Sequence, residues 1–286
     1  MLTAPHGTRY GLIMSEQTRS ASSMDPAAGS GIDAAVPHSA RIWNYWLGGK
    51  DNYAVDREAG DQYLEVFPGI REIAQHNRTF LARAVKYLAD EAGIDQFLDI
   101  GTGLPTAENT HQVAHRHNPD ARVVYVDNDP LVLSHARALL TSSPPAPTTF
   151  VDADLHEPED VLRQAANTLD LTRPVAVMLI GTIGHATSTT ANFLVRRLLN
   201  GVVSGSYLAL DQATNTDPEW ARAQDAYNAS GATPYYMYTP EQIAELFTGL
   251  ELVEPGLASC PEWHPHTPAR TRPDEATTLA AVARKP

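Results

Sequence analysis

Gln96-Phe97-Leu98-Asp99-Ile100-Gly101-Thr102-Gly103 decides the fold. Its apolar start reads as a buried strand, and the strand ends in a carboxylate and a two-glycine turn. Glycines let backbone approach a ligand where a Cβ would clash, and the helix that follows offers unpaired N–H groups at its start. The turn is therefore a nucleotide-cofactor cradle. A dinucleotide fingerprint wants a third glycine three residues after the second. Here that position is Thr106, preceded by Pro105. A pyrophosphate loses its usual close-packed helix start, and Asp99 inside the turn suits a ligand with a positive group.

Two more strand-to-acid transitions follow. Arg122-Val123-Val124-Tyr125-Val126 is β-branched and aromatic and ends in Asp127-Asn128-Asp129-Pro130. An acid at the end of the second strand of an open α/β sheet is placed to accept both hydroxyls of a ribose. Asp129 before Pro130 reads instead as a helix N-cap. Thr148-Thr149-Phe150-Val151 then leads into Asp152-Ala153-Asp154-Leu155. Asp154 can take the exocyclic amine of an adenine, with Leu155 or Asn128 flanking its ring.

Phe97 to Thr106 (FLDIGTGLPT), Val123 to Pro130 (VVYVDNDP) and Arg41 to Asn52 (RIWNYWLGGKDN) together resemble an actinobacterial S-adenosylmethionine-dependent methyltransferase family formerly described only as a domain of unknown function. The resemblance runs from about Ala35 to the C-terminal Ala283-Arg284-Lys285-Pro286. It implies an α/β, Rossmann-like class I methyltransferase fold with a seven-stranded, mostly parallel sheet, helices on both faces and an N-terminal helical lid. It also implies S-adenosylmethionine as cofactor. By residue, it places Gly101, Thr102 and Gly103 at the methionine end, Asp127 and Asn128 at the ribose, and Asp154 with Leu155 at the adenine. The family shows a His-Phe pair after the fourth strand, where this chain has Gly181-Thr182-Ile183-Gly184-His185-Ala186.

The rest of the chain alternates in the manner of a doubly wound sheet, whose ligand sits beyond the strands' carboxyl ends. Helices are expected over Arg71 to Ala92, Thr106 to His117, Pro130 to Leu140, Pro158 to Leu169, Ala191 to Leu199, Pro218 to Ala229 and Pro240 to Phe247. In the third of these, Leu131, Val132, Ala136, Leu139 and Leu140 form the buried stripe, and Ser142 to Pro147 is the loop after it. Val175 to Ile180 is a continuous apolar run that suits a central parallel strand ending at Gly181, beside the cofactor. Ser206 to Leu210 makes a fifth strand leading to Asp211-Gln212. Leu250 to Val253 and Thr277 to Ala283 close the sheet in antiparallel fashion. Residues 1–35 read as a disordered tail, in which Met14 and Met24 are alternative starts, and 36–286 as one domain with a lid region at 36–95 and a core at 96–286.

Within the lid, Trp43, Tyr45 and Trp46 precede the Gly48-Gly49 pair and Lys50-Asp51-Asn52-Tyr53. An aromatic helix docked on the sheet accounts for Trp43 and Trp46 equally well, but not for the polar run. A segment that folds back over cofactor and substrate accounts for both. Trp43, Lys50, Asn52 and Tyr53 are then lid or substrate residues, and the Tyr45 and Tyr53 rings are candidates to face the sulfonium, where cation–π attraction adds about 0.5 to 2 kcal/mol. Arg78 can grip the methionine carboxylate bidentately. Tyr235 and Tyr236 sit in an aromatic loop that either walls a substrate pocket or packs in the core. His185 is the candidate base if the acceptor holds a proton, since an imidazole titrates near neutrality.

Other constellations carry no chemistry. His111 and His115 have metal-capable spacing, but Gln112 breaks the zinc-protease pattern. His264-Pro265-His266 lies in a Pro-rich loop, and no metal is expected. Cys260 is the only cysteine of 286 residues, so an intrachain disulfide is excluded. The net charge of −13 argues against nucleic acid, and no apolar run reaches the roughly 20 residues of a membrane span. The expected protein is a cytoplasmic methyltransferase that moves a methyl in line to an O, N or S atom of a small molecule, with secondary metabolism as its setting. An NAD(P)-dependent oxidoreductase, disfavoured by Thr106, and a non-catalytic S-adenosylmethionine-binding regulator are the other functions these residues allow.

Overall fold

The computed structural model describes residues 33–105, 108–140 and 147–286. Thr106, most of the expected tail and most of the loop from Ser142 lie outside the described residues, as do the side chains of Ala136, Leu139 and Leu140.

Eight strands form the sheet: β1 (Gln96–Ile100), β2 (Arg122–Asp127), β3 (Thr148–Asp152), β4 (Ala176–Leu179), β5 (Tyr207–Ala213), β6 (Glu251–Leu252), β7 (Ala258–Ser259) and β8 (Thr278–Arg284). Their order is β3-β2-β1-β4-β5-β8-β6, with β7 paired to β8. The first five are parallel, and β8 runs antiparallel to β5, β6 and β7. Seven strands were expected; the extra one, β7, has two residues and is too short to leave a periodic signal. β5 is longer than expected because its ladder with β8 continues through Asp211↔Ala280, Gln212↔Leu279 and Ala213↔Thr278. Asp211 and Gln212 therefore belong to the strand.

Side-chain alternation divides the core into two layers. Leu98, Ile100, Val177, Leu179, Leu208 and Leu210 pack toward α6 (Pro158–Ala165) and α7 (Ser188–Asn200). Phe97, Val123, Tyr125, Met178 and Ala209 pack toward α3 (Ile70–Asp90) and α4 (Thr110–His117). Within α3, Phe80, Leu81, Ala84, Val85 and Leu88 recur at helical spacing and are buried. Helix α4 starts at Thr110, not at Thr106, because Asn109 and Gln112 form a capping box there. Helix α5 (Pro130–Leu140) starts where expected, with Asp129 Oδ1 accepting Leu131 N–H at 2.8 Å. Helices α6 and α7 are respectively shorter and longer than the sequence pattern suggests, since Thr187 caps α7 one turn early.

A third apolar cluster stands over the carboxyl ends of the strands. It joins α1 (Ser39–Trp46), α2 (Ala54–Val66), the start of α3 and α8 (Pro218–Asn228) through Ile42, Trp46, Tyr63, Ile70, Trp220 and Tyr227. Its polar anchor is Asp56, which is fully buried. The Asp56 carboxylate accepts the backbone N–H of His38 at 2.9 Å and of Tyr53 at 2.8 Å, and pairs with Arg41 at 3.2 Å. Arg41 also donates to the carbonyls of Asp33 and Val36.

Candidate functional site

A cavity of about 470 Å³ lies between the strand ends and the third cluster. It opens where the chain leaves β1 in one direction and β4 in the other, the switch point at which open α/β sheets bind ligands. Three carboxylates reach it from successive strands. Asp99, at the end of β1, is buried and accepts the Thr110 hydroxyl at 2.6 Å. Burial raises its pKa to about 6, against the opposing pull of that hydroxyl and of the Arg78 guanidinium. Asp127 ends β2; one oxygen accepts Gly103 N–H at 2.8 Å and the other accepts Asp129 N–H at 2.9 Å. Burial raises this carboxyl too. Asp154 lies past β3. Burial would raise it, but the N–H and imidazole of His156 and the amide of Asn128 outweigh burial and lower it.

The turn between them has the backbone its glycines predict. Gly101 and Gly103 have φ of 73° and 64°, and Gly181 after β4 has φ of 68°. A Cβ on Gly101 would lie 1.9 Å from Thr182 Oγ1. Gly101, Thr102, Gly103, Asn128, Leu155, Gly181 and Arg78 all line the cavity with the three carboxylates. Arg78 is held by the Glu108 carbonyl and the Asn109 side chain at 3.2 and 3.3 Å. Beneath the floor, Asp211 accepts Gly181 N–H at 2.6 Å, and its fully buried carboxyl is pushed up to about 7. Cys260 is buried beside it, its Sγ 3.9 Å from Asp211 Oδ2.

The N-terminal segment expected to act as a lid divides differently from the sequence expectation. Trp43 lines the cavity, but Tyr45, Lys50, Asn52 and Tyr53 do not. Helical geometry puts Tyr45 on the opposite side of α1, where its hydroxyl donates to Asp61 at 2.6 Å and its ring meets Arg71. Tyr53 caps α2 with its ring under Arg41. Asn52 folds back to donate to Asn44 Oδ1 at 2.9 Å and to the Gly49 carbonyl at 3.0 Å, so the polar run builds the α1–α2 turn. Gly49 is needed there, since a Cβ would meet the Asn44 amide at 2.3 Å. Lys50 is exposed.

His185 reaches the cavity from a short 3-10 turn (Ile183–His185). Its Nδ1 lies 2.9 Å from the Pro234 carbonyl. A carbonyl only accepts, so Nδ1 carries the proton and Nε2 keeps its lone pair. Burial lowers the imidazole pKa, with the Pro234 carbonyl opposing. Tyr235 lines the cavity too, its ring against Gly184, where a Cβ would come within 2.4 Å. Tyr236 does not line it: its N–H donates to the Gly184 carbonyl and its ring is exposed.

Several wall residues had no sequence signal. His38 pairs with Asp129 at 2.9 Å, fastening the start of α1 to the start of α5. Tyr63, Trp220, Gln224 and Tyr227 complete the wall from α2 and α8, far apart in sequence. Asn77 joins them from α3. Among the described residues no group of three His, Cys, Asp or Glu side chains could hold a metal ion, and no helix is long and apolar enough to cross a membrane.

Comparison with known proteins identifies the family and the fold. The profile of a family described as S-adenosyl methyltransferase matches residues 25–286. A solved duf574 family protein from Streptomyces avermitilis MA-4680 is 44% identical over 89% of this chain and 99% of its own, with a TM-score of 0.82. A Thermobifida fusca YX protein is 38% identical over 92% of this chain and 99% of its own, with a TM-score of 0.83. At 13% identity, magnesium protoporphyrin IX methyltransferase from Synechocystis PCC 6803, solved with bound SAH, shares the fold at a TM-score of 0.52, over 86% of this chain and 93% of that one. No curated protein matches.

Proposed function

This chain belongs to the S-adenosyl methyltransferase family, and we propose that its cavity aligns the sulfonium methyl with an O, N or S atom of a small acceptor. It is an S-adenosylmethionine-dependent methyltransferase with the class I fold, and S-adenosylmethionine is its cofactor. The cavity fits that compound. Asp99 faces its ammonium, and Arg78 its carboxylate. Asp127, whose two oxygens are fixed by Gly103 and Asp129 N–H groups, keeps lone pairs for the ribose hydroxyls. Asp154 takes the adenine amine, while Leu155 and Asn128 flank the ring.

When bound, S-adenosylmethionine supplies a methyl on a leaving group that is already activated. The chain's own contribution is then alignment, which can supply about 7 to 11 kcal/mol of a barrier. The positive-φ turns at Gly101, Gly103 and Gly181 set the floor, and α1 contributes to the roof. Burial keeps the His185 imidazole neutral, the Pro234 carbonyl holds its proton on Nδ1, and the free Nε2 receives a proton from the acceptor.

The observation that carries this reading is the convergence of Asp99, Asp127 and Asp154 with the glycine turn on one wall of one cavity. Calorimetric titration tests it. S-adenosylmethionine and S-adenosylhomocysteine should bind in the micromolar range, NAD should not, and Asp127→Ala should lower affinity about tenfold or more by removing a charged acceptor. Preference for NAD, or unchanged affinity in the variant, would overturn the assignment.

A further inference from the structure

The cavity wall has a second half with a different chemistry. Trp43, Trp46, Tyr63 and Tyr227 follow one another along it, with centroids 5.7, 5.0 and 6.0 Å apart and each ring turned 59 to 74° from the next. Trp220 joins them on the wall, stacked on Phe67. Several polar atoms of this half pair with one another. Trp220 Nε1 donates to the Tyr63 hydroxyl at 2.8 Å, that hydroxyl donates to Gln224 Oε1 at 2.9 Å, and Gln224 Nε2 donates to Asn228 at 3.0 Å. Trp46 Nε1 donates to the Gly60 carbonyl. Much of what remains toward the cavity is ring surface.

Charge is distributed just as unevenly. Among the described residues, the Asp and Arg side chains on the wall are Asp99, Asp127, Asp154 and Arg78, which belong to the strand ends and α3. Arg41 and Asp56 of the helical layer are buried against each other and do not reach the cavity. An anionic acceptor would meet no Lys or Arg among the rings, and burying an unpaired charge is costly. A cationic acceptor would gain from the ring faces but would sit beside the sulfonium, with no carboxylate on its own side.

We infer that this half is the acceptor site and that it takes an uncharged planar aromatic compound, held by ring contact with Trp43, Trp46, Tyr63 and Tyr227. The assignment rests on the methyl-transfer reading above. About 470 Å³ must hold donor and acceptor together, so the acceptor is small.

The full chain, saturated with S-adenosylhomocysteine, is titrated with 2-naphthol, 2-naphthoate and phenyltrimethylammonium. Naphthol should bind about tenfold more tightly than either charged probe. Tyr227→Leu should weaken naphthol by about tenfold while S-adenosylhomocysteine affinity, which also reports that the variant is folded, stays unchanged. Should that variant fail to fold, Trp43→Leu, at a partly exposed ring, replaces it with the same expectation. Tighter binding of either charged probe, equal binding of all three, no binding of any, or insensitivity to the ring variant overturns the proposal. If S-adenosylhomocysteine does not bind at all, the cofactor reading falls, and naphthol against the free protein still decides the chamber.

Discussion

Two glycines of one turn separate strain from contact. Gly101 and Gly103 both have positive φ, yet only at Gly101 does an added Cβ strike a neighbour, Thr182. Gly103→Ala should cost about 1 to 2 kcal/mol, the penalty of a left-handed residue with a side chain. Gly101→Ala should cost measurably more, because Thr182 and the end of β4 must also move. Urea midpoints of the two variants check the order, and equal midpoints would mean that the turn yields freely. This pair was legible in the sequence since a strand, an acid and two glycines are local facts. Asp211 was not. Its role under Gly181 depends on β5 lying beside β4 and on a ladder that runs past the apolar stretch, both of which are tertiary.

At the level of elements, the N-terminal lid shows where sequence reasoning stops. The aromatic and polar residues of 39–53 suggested a segment folded over the ligand, but assigning which faces matter needs the phase of α1. That phase turns Ile42, Trp43 and Trp46 inward and Tyr45 outward, and it makes the polar run a turn wrapped on Asn44. The facing rings were illegible for a simpler reason: Tyr63 and Gln224 are 161 residues apart and meet only because α2 packs on α8. Asp56 holds this layer together. Asp56→Ala leaves Arg41 buried without its partner and two backbone N–H groups unanswered, so it should cost about 3 to 5 kcal/mol. Hydrogen exchange should rise first over residues 38–53, ahead of the sheet. Uniform exchange across the chain would show that the lid and the sheet unfold as one.

Across the whole molecule, the succession of five strands along the chain followed from alternation of apolar runs with helical stripes, and β8 from its apolar run near the C-terminus, whereas the order of the strands in the sheet is a tertiary fact. Two buried carboxyls couple that sheet to pH. Asp99 is pushed to about 6 and Asp211 to about 7 by burial, so the folded chain keeps protons that the unfolded chain releases near pH 4. Their stabilising contribution is complete below that point and is lost as pH climbs to about 7. His185 and His111, lowered by burial, act in the opposite direction as pH falls, so the wild-type curve alone is ambiguous. Asp211→Asn keeps an acceptor for Gly181 and removes the titration. It should therefore gain stability relative to wild type as pH rises from about 4 to about 7, as melting temperatures would show, whereas parallel curves would exclude Asp211 as a source. The cavity itself is assembled from two layers with separate anchors: strand ends on one side, and α1, α2 and α8 on the other. On the proposed assignment of the two layers, substitutions in the helical layer can thus accumulate over generations without disturbing the grip on the donor, so descendants of one ancestor can diverge in what they modify while inheriting the same means of modifying it.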